Sequence, residues 1–297
     1  MGFIRQVVVA VAVLAASAPV SAQVVDRVTE LDWDRPEAWA MKYFNSVSAF
    51  TALGAPQARA AWSIEIGLEL DTIPQLSEDQ RRIGFNGTKV EDINRLPVFF
   101  RPRVTIGLPA KFSLDVAWVP PVELRGVTSN LFAVGFERPL YEAGRLVLGA
   151  RLSGQLGTVE GDFTCSADEA SYPPGDPGNI WGCEAPSEDE LSLNHVAIAF
   201  TGGYLVKKTR FHWGLAATYM DMEFQVDAVT FGVIDRSLLL ADGWTWSVNG
   251  GASWQLNKRL SIAGELFYSP LSVTRPPSTE SENDPLFNLR SMLRIRL

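Results

Sequence analysis

Apolar and polar residues alternate with a period of two, and that alternation returns again and again along most of this chain. Trp62, Ile64, Ile66, Leu68 and Leu70 occupy one set of positions, with Ser63, Glu65, Gly67 and Glu69 between them. A strand sends successive side chains to opposite faces, so such a segment has one apolar and one polar face. The pattern recurs as Phe100, Val104, Ile106 and Leu108 against Arg101, Arg103 and Thr105, then as Phe112, Leu114, Val116 and Trp118 against Ser113 and Asp115. It continues through Val196–Tyr204, Phe211–Tyr219, Trp244–Leu256 and Leu260–Tyr268, and ends with Phe287, Leu289, Leu293, Ile295 and Leu297. Residues 60–297 are expected to form about ten strands.

The connections between these strands alternate between short and long. Short turns fall near Pro109–Lys111, Pro139–Gly144, Val206–Lys208 and Leu256–Lys258, whereas 71–96, 157–190, 221–242 and 270–285 are long. Strands of about ten residues cross a bilayer when tilted, and transmembrane barrels carry short turns at one rim and long loops at the other. The fold expected is an all-β, antiparallel transmembrane β-barrel of about ten strands, preceded by a short helical segment. A soluble sandwich also alternates but has no reason for the loop rhythm. A chain with 46% apolar and 20% charged residues is not disordered, and a net charge of −8 disfavours a nucleic-acid partner.

The N-terminus supports an exported protein. Arg5, the apolar run Val7–Ala16 and the small residues Val20-Ser21-Ala22 read as a signal peptide over 1–22, cut before Gln23. With that leader, the alternation and the largely apolar final strand, the chain resembles Gram-negative outer-membrane β-barrel proteins. It departs from them in ending with Leu297, where that class usually has an aromatic residue. The resemblance implies outer-membrane lipid and the outer-membrane assembly machinery as partners, with the short turns in the periplasm.

In a barrel the polar face lines the interior. The residues expected there are Glu65, Glu69, Arg101, Arg103, Asp115, Glu137, Arg145, Arg151, His195, His212, Arg259, Glu265, Arg290, Arg294 and Arg296. Turns centred near Tyr141 and Asn257 would set Glu137 against Arg145, and Gln255 against Arg259. Glu65 and Glu69 on the first strand would face the arginines of the last. Opposite charges so placed stabilise a strand pair by about 0.2–1 kcal/mol each. These side chains either fill a narrow lumen or select small solutes passing through it.

Residues 23–59 have a different character. Asp34-Arg35-Pro36-Glu37 is a helix start, Trp39, Tyr43, Val47 and Phe50 recur at helical spacing, and Gly54 and Pro56 end the run. This periplasmic segment is expected either to plug the barrel or to cap it.

Cys165 and Cys183, the only cysteines, read as a disulfide within one long loop. The loop region also carries Glu160, Asp162, Asp168, Glu169, Asp176, Glu184, Glu188, Asp189 and Glu190, with no Lys or Arg among them. Such a rim would enrich cations. No metal-ligand spacing, phosphate loop or dinucleotide motif is present, so no metal, cofactor or catalytic residue is assigned. His195 beside Asp221 or Glu223, with Ser153 or Ser192 as nucleophile, would be the elements of a rim hydrolase, but no nucleophile motif accompanies them. The expectation is a narrow channel or passive transporter for small solutes. The alternatives are a surface-binding or structural envelope protein acting through its acidic loops, and, less favoured, a rim hydrolase.

Overall fold

A computed structural model describes residues 23–297, and the expected signal peptide lies outside them. The ten long strands are β1 (Ile64–Thr72), β2 (Val98–Gly107), β3 (Ser113–Leu124), β4 (Val127–Ala143) and β5 (Leu146–Gly161), followed by β6 (Asp189–Val206), β7 (Thr209–Gln225), β8 (Leu238–Gln255), β9 (Leu260–Ser269) and β10 (Leu286–Arg296). Each pairs antiparallel with the next. β10 returns to β1, with Arg296 opposite Glu65 and Arg290 opposite Asp71, and this closes a ten-stranded barrel.

The exterior establishes the environment. On β1, Ile64, Ile66, Leu68 and Leu70 are exposed while Glu65, Glu69 and Asp71 are buried. The same inversion appears on β6, where Val196, Ile198 and Phe200 face out and His195 faces in. A soluble sandwich would bury its apolar face. Here that face forms an outer belt suited to lipid.

Two hairpin registers differ from those expected. A bulge at Pro139–Tyr141 moves the turn to Gly144, so Glu137 pairs with Arg151 and not with Arg145. The turn after β8 is also one residue later than expected, which sets Gln255 opposite Ser261 and Gly251 opposite Glu265. Arg145 and Arg259 consequently lie exposed in the short turns, outside the lumen. Arg296 stays near the short-turn rim, half-exposed, 3.5 Å from Glu65. Strands β4 to β8 run 16–18 residues, longer than the roughly ten that cross a bilayer, so their long-loop ends project beyond the belt. The connection after β3 is only the tight turn Arg125-Gly126, both at positive φ.

The N-terminal segment runs through the barrel. Gln23–Val25 pairs parallel with Val233–Asp235 in the β7–β8 loop, and Val28–Glu30 pairs parallel with Leu238–Leu240 at the long-loop end of β8. Helix α1 (Pro36–Val47) follows, largely buried. Its cap residue is Arg35, not Asp34, and no side chain caps it. The chain then continues to the short-turn rim, where Arg59 pairs with Glu65. The segment thus enters at the long-loop end rather than sitting beneath the barrel. Two glycines make room for its passage. A Cβ on Gly203 would lie 2.2 Å from the Ala55 side chain, and one on Gly149 would lie 2.8 Å from Pro56.

Candidate functional site: a lumen in two layers

The first layer, toward the short turns, is a cage of arginines. Helix α1 ends at Val47, and the last carbonyls of a helix have no partner within it. Guanidinium groups supply the donors. Arg290 donates to Ser46 O at 2.9 Å and to Ala49 O at 2.8 Å, and Arg101 donates to Ser48 O at 2.9 Å. Arg294 donates to Ala52 O and Leu53 O, both at 2.8 Å. Arginine suits this role because one planar group carries five donors.

Carboxylates balance these cations. Glu69 accepts from Arg101 at 2.7 Å and from Arg103 at 2.6 Å, and all three side chains are buried. Asp115 accepts from Arg151 at 2.5 Å and from the Thr105 hydroxyl at 2.5 Å. Glu265 accepts from Thr51 at 2.8 Å and Asn249 at 2.6 Å, and lies 3.3 Å from His212 Nε2. The Phe50 ring lies amid Arg103, Arg101 and Arg151, whose guanidinium carbons are 4.1, 4.7 and 4.9 Å from its centroid. Removing one partner of such a buried pair typically costs about 3–5 kcal/mol. Asp71, Gln155 and Asn288 belong to this buried polar set and escaped the sequence reading. Gln155 is bonded to Arg101 and to Ser48 Oγ.

The second layer, toward the long loops, is apolar. Inward-facing Leu131, Leu191, Leu193, Met220 and Met222 pack with Ala38 and Met41 of α1. Phe44, Phe99, Val159 and Phe224 adjoin them, and with Met41, Leu131, Leu191 and Leu193 they line a cavity of about 580 Å³. Its lining also carries six charged residues, Arg27, Arg35, Glu37, Glu91, Arg95 and Asp235. The sequence contains a signal for this layer. On β7 the outward residues are apolar through Tyr219 and then become Asp221 and Glu223, while the inward ones change from His212 and Thr218 to Met220 and Met222. The alternation inverts its phase where the strand leaves the bilayer, because the solvent outside and the core inside exchange polarity there.

That inversion separates His195 from Asp221, Glu223 and Ser192, while Ser153 is buried on the inner parity as His195 is. Asp221 and Glu223 face outward, away from buried His195, and Ser192 lies on the same outer parity.

Above the cavity, Cys165 and Cys183 form a disulfide. Glu160, Asp168, Asp176, Glu184, Glu188 and Glu190 are exposed. The other three acids of that region turn inward. Asp162 pairs with Arg95, Glu169 lies 3.4 Å from Lys89, and fully buried Asp189 accepts from the Thr164 amide at 2.6 Å and the Ser187 hydroxyl at 2.7 Å. The cations come from the β1–β2 loop, which sequence proximity does not reveal. Burial raises the Glu91 carboxyl from 4.5 to about 7, against the opposing pull of Lys89 3.1 Å away.

No family model matches the chain, and no curated protein matches it. Among solved structures, the Escherichia coli outer membrane protease OmpT is similar over 80% of this chain and 94% of its own, at 11% identity and a TM-score of 0.39. The Pseudomonas putida toluene transporter TodX covers 91% of this chain and 78% of its own, at 13% identity and 0.31. The Yersinia pestis attachment invasion locus protein Ail covers 80% and 100%, at 10% identity and 0.29. All are outer-membrane barrels, and the likeness concerns the fold alone.

Proposed function

We propose that this outer-membrane barrel is a passive transporter that takes small, uncharged, apolar solutes into the cavity below its long loops. The observation that carries the reading is the cavity itself, about 580 Å³ and walled mainly by inward-facing aliphatic and aromatic side chains. Sites of roughly 300–1,000 Å³ with apolar walls and few polar groups are typical of small-molecule binding. Uncharged solutes suit its apolar walls, because an ion placed against them loses hydration that they do not replace. The arginine cage and residues 46–57 lie between the cavity and the short turns. In this reading residues 23–59 act as the plug, and onward passage requires them to shift.

The test is saturable binding of N-phenyl-1-naphthylamine to the refolded protein, followed by its fluorescence. Leu193→Gln is expected to weaken binding about tenfold, the effect of roughly 1.4 kcal/mol, while the barrel keeps its heat-modifiable mobility on gels. Absence of saturable binding in the unmodified protein would remove the proposal. A second reading, surface binding, draws on the six exposed carboxylates near the stapled loop. It predicts salt-sensitive capture of cationic partners that is lost when residues 166–182 are deleted. We also assign the assembly machinery as the partner of β10 during insertion, testable by crosslinking at Leu297.

A further inference from the structure

Charge is divided between the two rims of the barrel, and a net charge of −8 conceals the division. At the long-loop end the exposed groups near the disulfide are carboxylates. The short turns have the opposite sign. Arg138 and Arg145 flank the β4–β5 turn, Lys207-Lys208 is the whole β6–β7 turn, and Lys258-Arg259 lies in the β8–β9 turn. All six are exposed, and none forms an ion pair among the described residues. Glu142, the one exposed acidic side chain at this rim among the described residues, is already balanced by Lys111 at 2.9 Å. Like charges gathered without an internal counter-ion repel one another, and an external anion relieves that repulsion.

Backbone bonds between neighbouring strands hold the three turns in one arc. Leu205 N donates to Arg145 O at 2.9 Å, and Gln255 N donates to Lys208 O at 3.2 Å. The arc ends at the last strand, where Arg296 N donates to Arg259 O at 2.8 Å. The lysine turn is unusual in its backbone. A two-residue hairpin loop with positive φ at its first position usually has glycine there, whereas this one has Lys207 at φ 57°. A second, independent observation sets the depth of the arc. The Arg138 guanidinium lies 5.0 Å from the ring centroid of Phe112, an exposed residue of the outer belt. Tyr141, Tyr204 and Trp254 are exposed near the same turns. Such rings sit at headgroup level, and basic side chains beside them reach the headgroups while their stems stay on apolar surface.

We infer that the short-turn rim is a binding surface for anionic phospholipids, whose phosphates lie against this arc of six cations in the leaflet on that side. The inference is independent of what the cavity holds. Charge complementarity selects an anion, because the arc offers cations and the nearby carboxylate is taken by Lys111. A zwitterionic headgroup gains less, since its ammonium finds no free acid side chain to meet. The depth of the arc selects lipid over a soluble polyanion. The cations border the lipid-facing belt beside outward aromatic rings, where a headgroup lies and a soluble partner does not reach. Six cations spread over three turns serve several headgroups side by side, so the outcome is a preference among surrounding lipids and not one tight site.

The test places the full chain in phosphatidylcholine vesicles with trace spin-labelled lipid and reads the motionally restricted fraction by electron spin resonance. Labelled phosphatidylglycerol is expected to associate about threefold more strongly than labelled phosphatidylcholine at about 20 mM salt, and to approach parity at about 500 mM. The variant Arg138→Gln/Arg145→Gln/Lys207→Gln/Lys208→Gln/Lys258→Gln/Arg259→Gln should show parity at both while keeping its heat-modifiable mobility. Should that variant fail to fold, Lys207→Gln/Lys208→Gln alone is expected to lower the preference by about a third. Arg125→Gln/Arg236→Gln, at the long-loop end, should leave it unchanged. Equal association of the two lipids with the unmodified protein at low salt overturns the inference, as does a preference undiminished in the glutamine variants. Loss of the preference on adding inorganic phosphate at constant ionic strength also overturns it, because the arc would then hold the free anion and not lipid.

Discussion

Arg290, on the last strand, donates a 2.9 Å hydrogen bond to the carbonyl of Ser46, 244 residues earlier in the chain. The contact joins the barrel wall to the segment inside it where that segment has just left its helix. Arg294, two pleat repeats nearer the short turns, repeats the arrangement on Ala52 and Leu53.

Replacing both arginines with methionine should therefore loosen residues 46–53 while leaving the wall intact. Each bond to a charged donor is worth about 1.5–3 kcal/mol. We expect the Arg290→Met/Arg294→Met protein to show frequent single-channel openings in planar bilayers, approaching the conductance of a chain lacking 23–59. A chain lacking 23–59 that does not conduct would show that the wall's own side chains seal the lumen.

Gly203 gives a second way to move the segment. Its missing side chain leaves room for Ala55, whose Cβ would lie 2.2 Å from an added Cβ. Gly203→Leu is expected to push the segment aside and destabilise the protein by about 1–3 kcal/mol, the usual effect of overpacking. Urea unfolding and conductance should change together, whereas Gly144→Leu in the exposed turn should not alter conductance.

The Glu91 carboxyl sets a pH dependence of known sign. Its folded value is raised by burial from 4.5 to about 7, so the folded state holds the proton more tightly than the unfolded state. Stability of the β1–β2 loop should then be greatest below pH 4.5, fall as pH rises toward 7, and level off above. The full drop is about 3 kcal/mol. Hydrogen exchange of the amides near residues 84–91 checks this, and Glu91→Gln should flatten the dependence.

The Cys165–Cys183 bridge closes a loop for which chain-entropy arithmetic gives about 3 kcal/mol. Cys165→Ser/Cys183→Ser should make residues 166–182 susceptible to protease while the barrel keeps its heat-modifiable mobility. The buried bonds of Asp189 to Thr164 and Ser187 should protect the loop base even then.

The barrel was legible from sequence because lipid outside imposes one rule on every strand, and a period of two survives small errors in turn position. Registers were less legible. A bulge at Pro139 moves the facing residue of Glu137 from Arg145 to Arg151, and nothing in the alternation marks a bulge. The apolar layer was written in the sequence as the change of phase at Met220 and Asp221, but a reading that assigns one face to lipid throughout passes over it. The partners of residues 46–53 are strand arginines far along the chain, so their pairing had no local signature. Lys89 and Arg95 likewise reach the acidic loop only through the fold.

The parallel pairing of Gln23–Val25 with Val233–Asp235 carries a consequence for how the protein is built. With the short turns in the periplasm, as the resemblance implies, Gln23–Val25 finish at the opposite surface of the membrane. Pulling Trp39 and Tyr43 through a finished cylinder already crowded with guanidinium groups would mean desolvating and displacing nearly every one of them. We therefore expect the β1–β10 junction to zip last, around a thread already in position, like a sheath wound on its core. A peptide of residues 23–59 added to a finished barrel that lacks it should then stay outside, whereas the same peptide present during refolding should be enclosed.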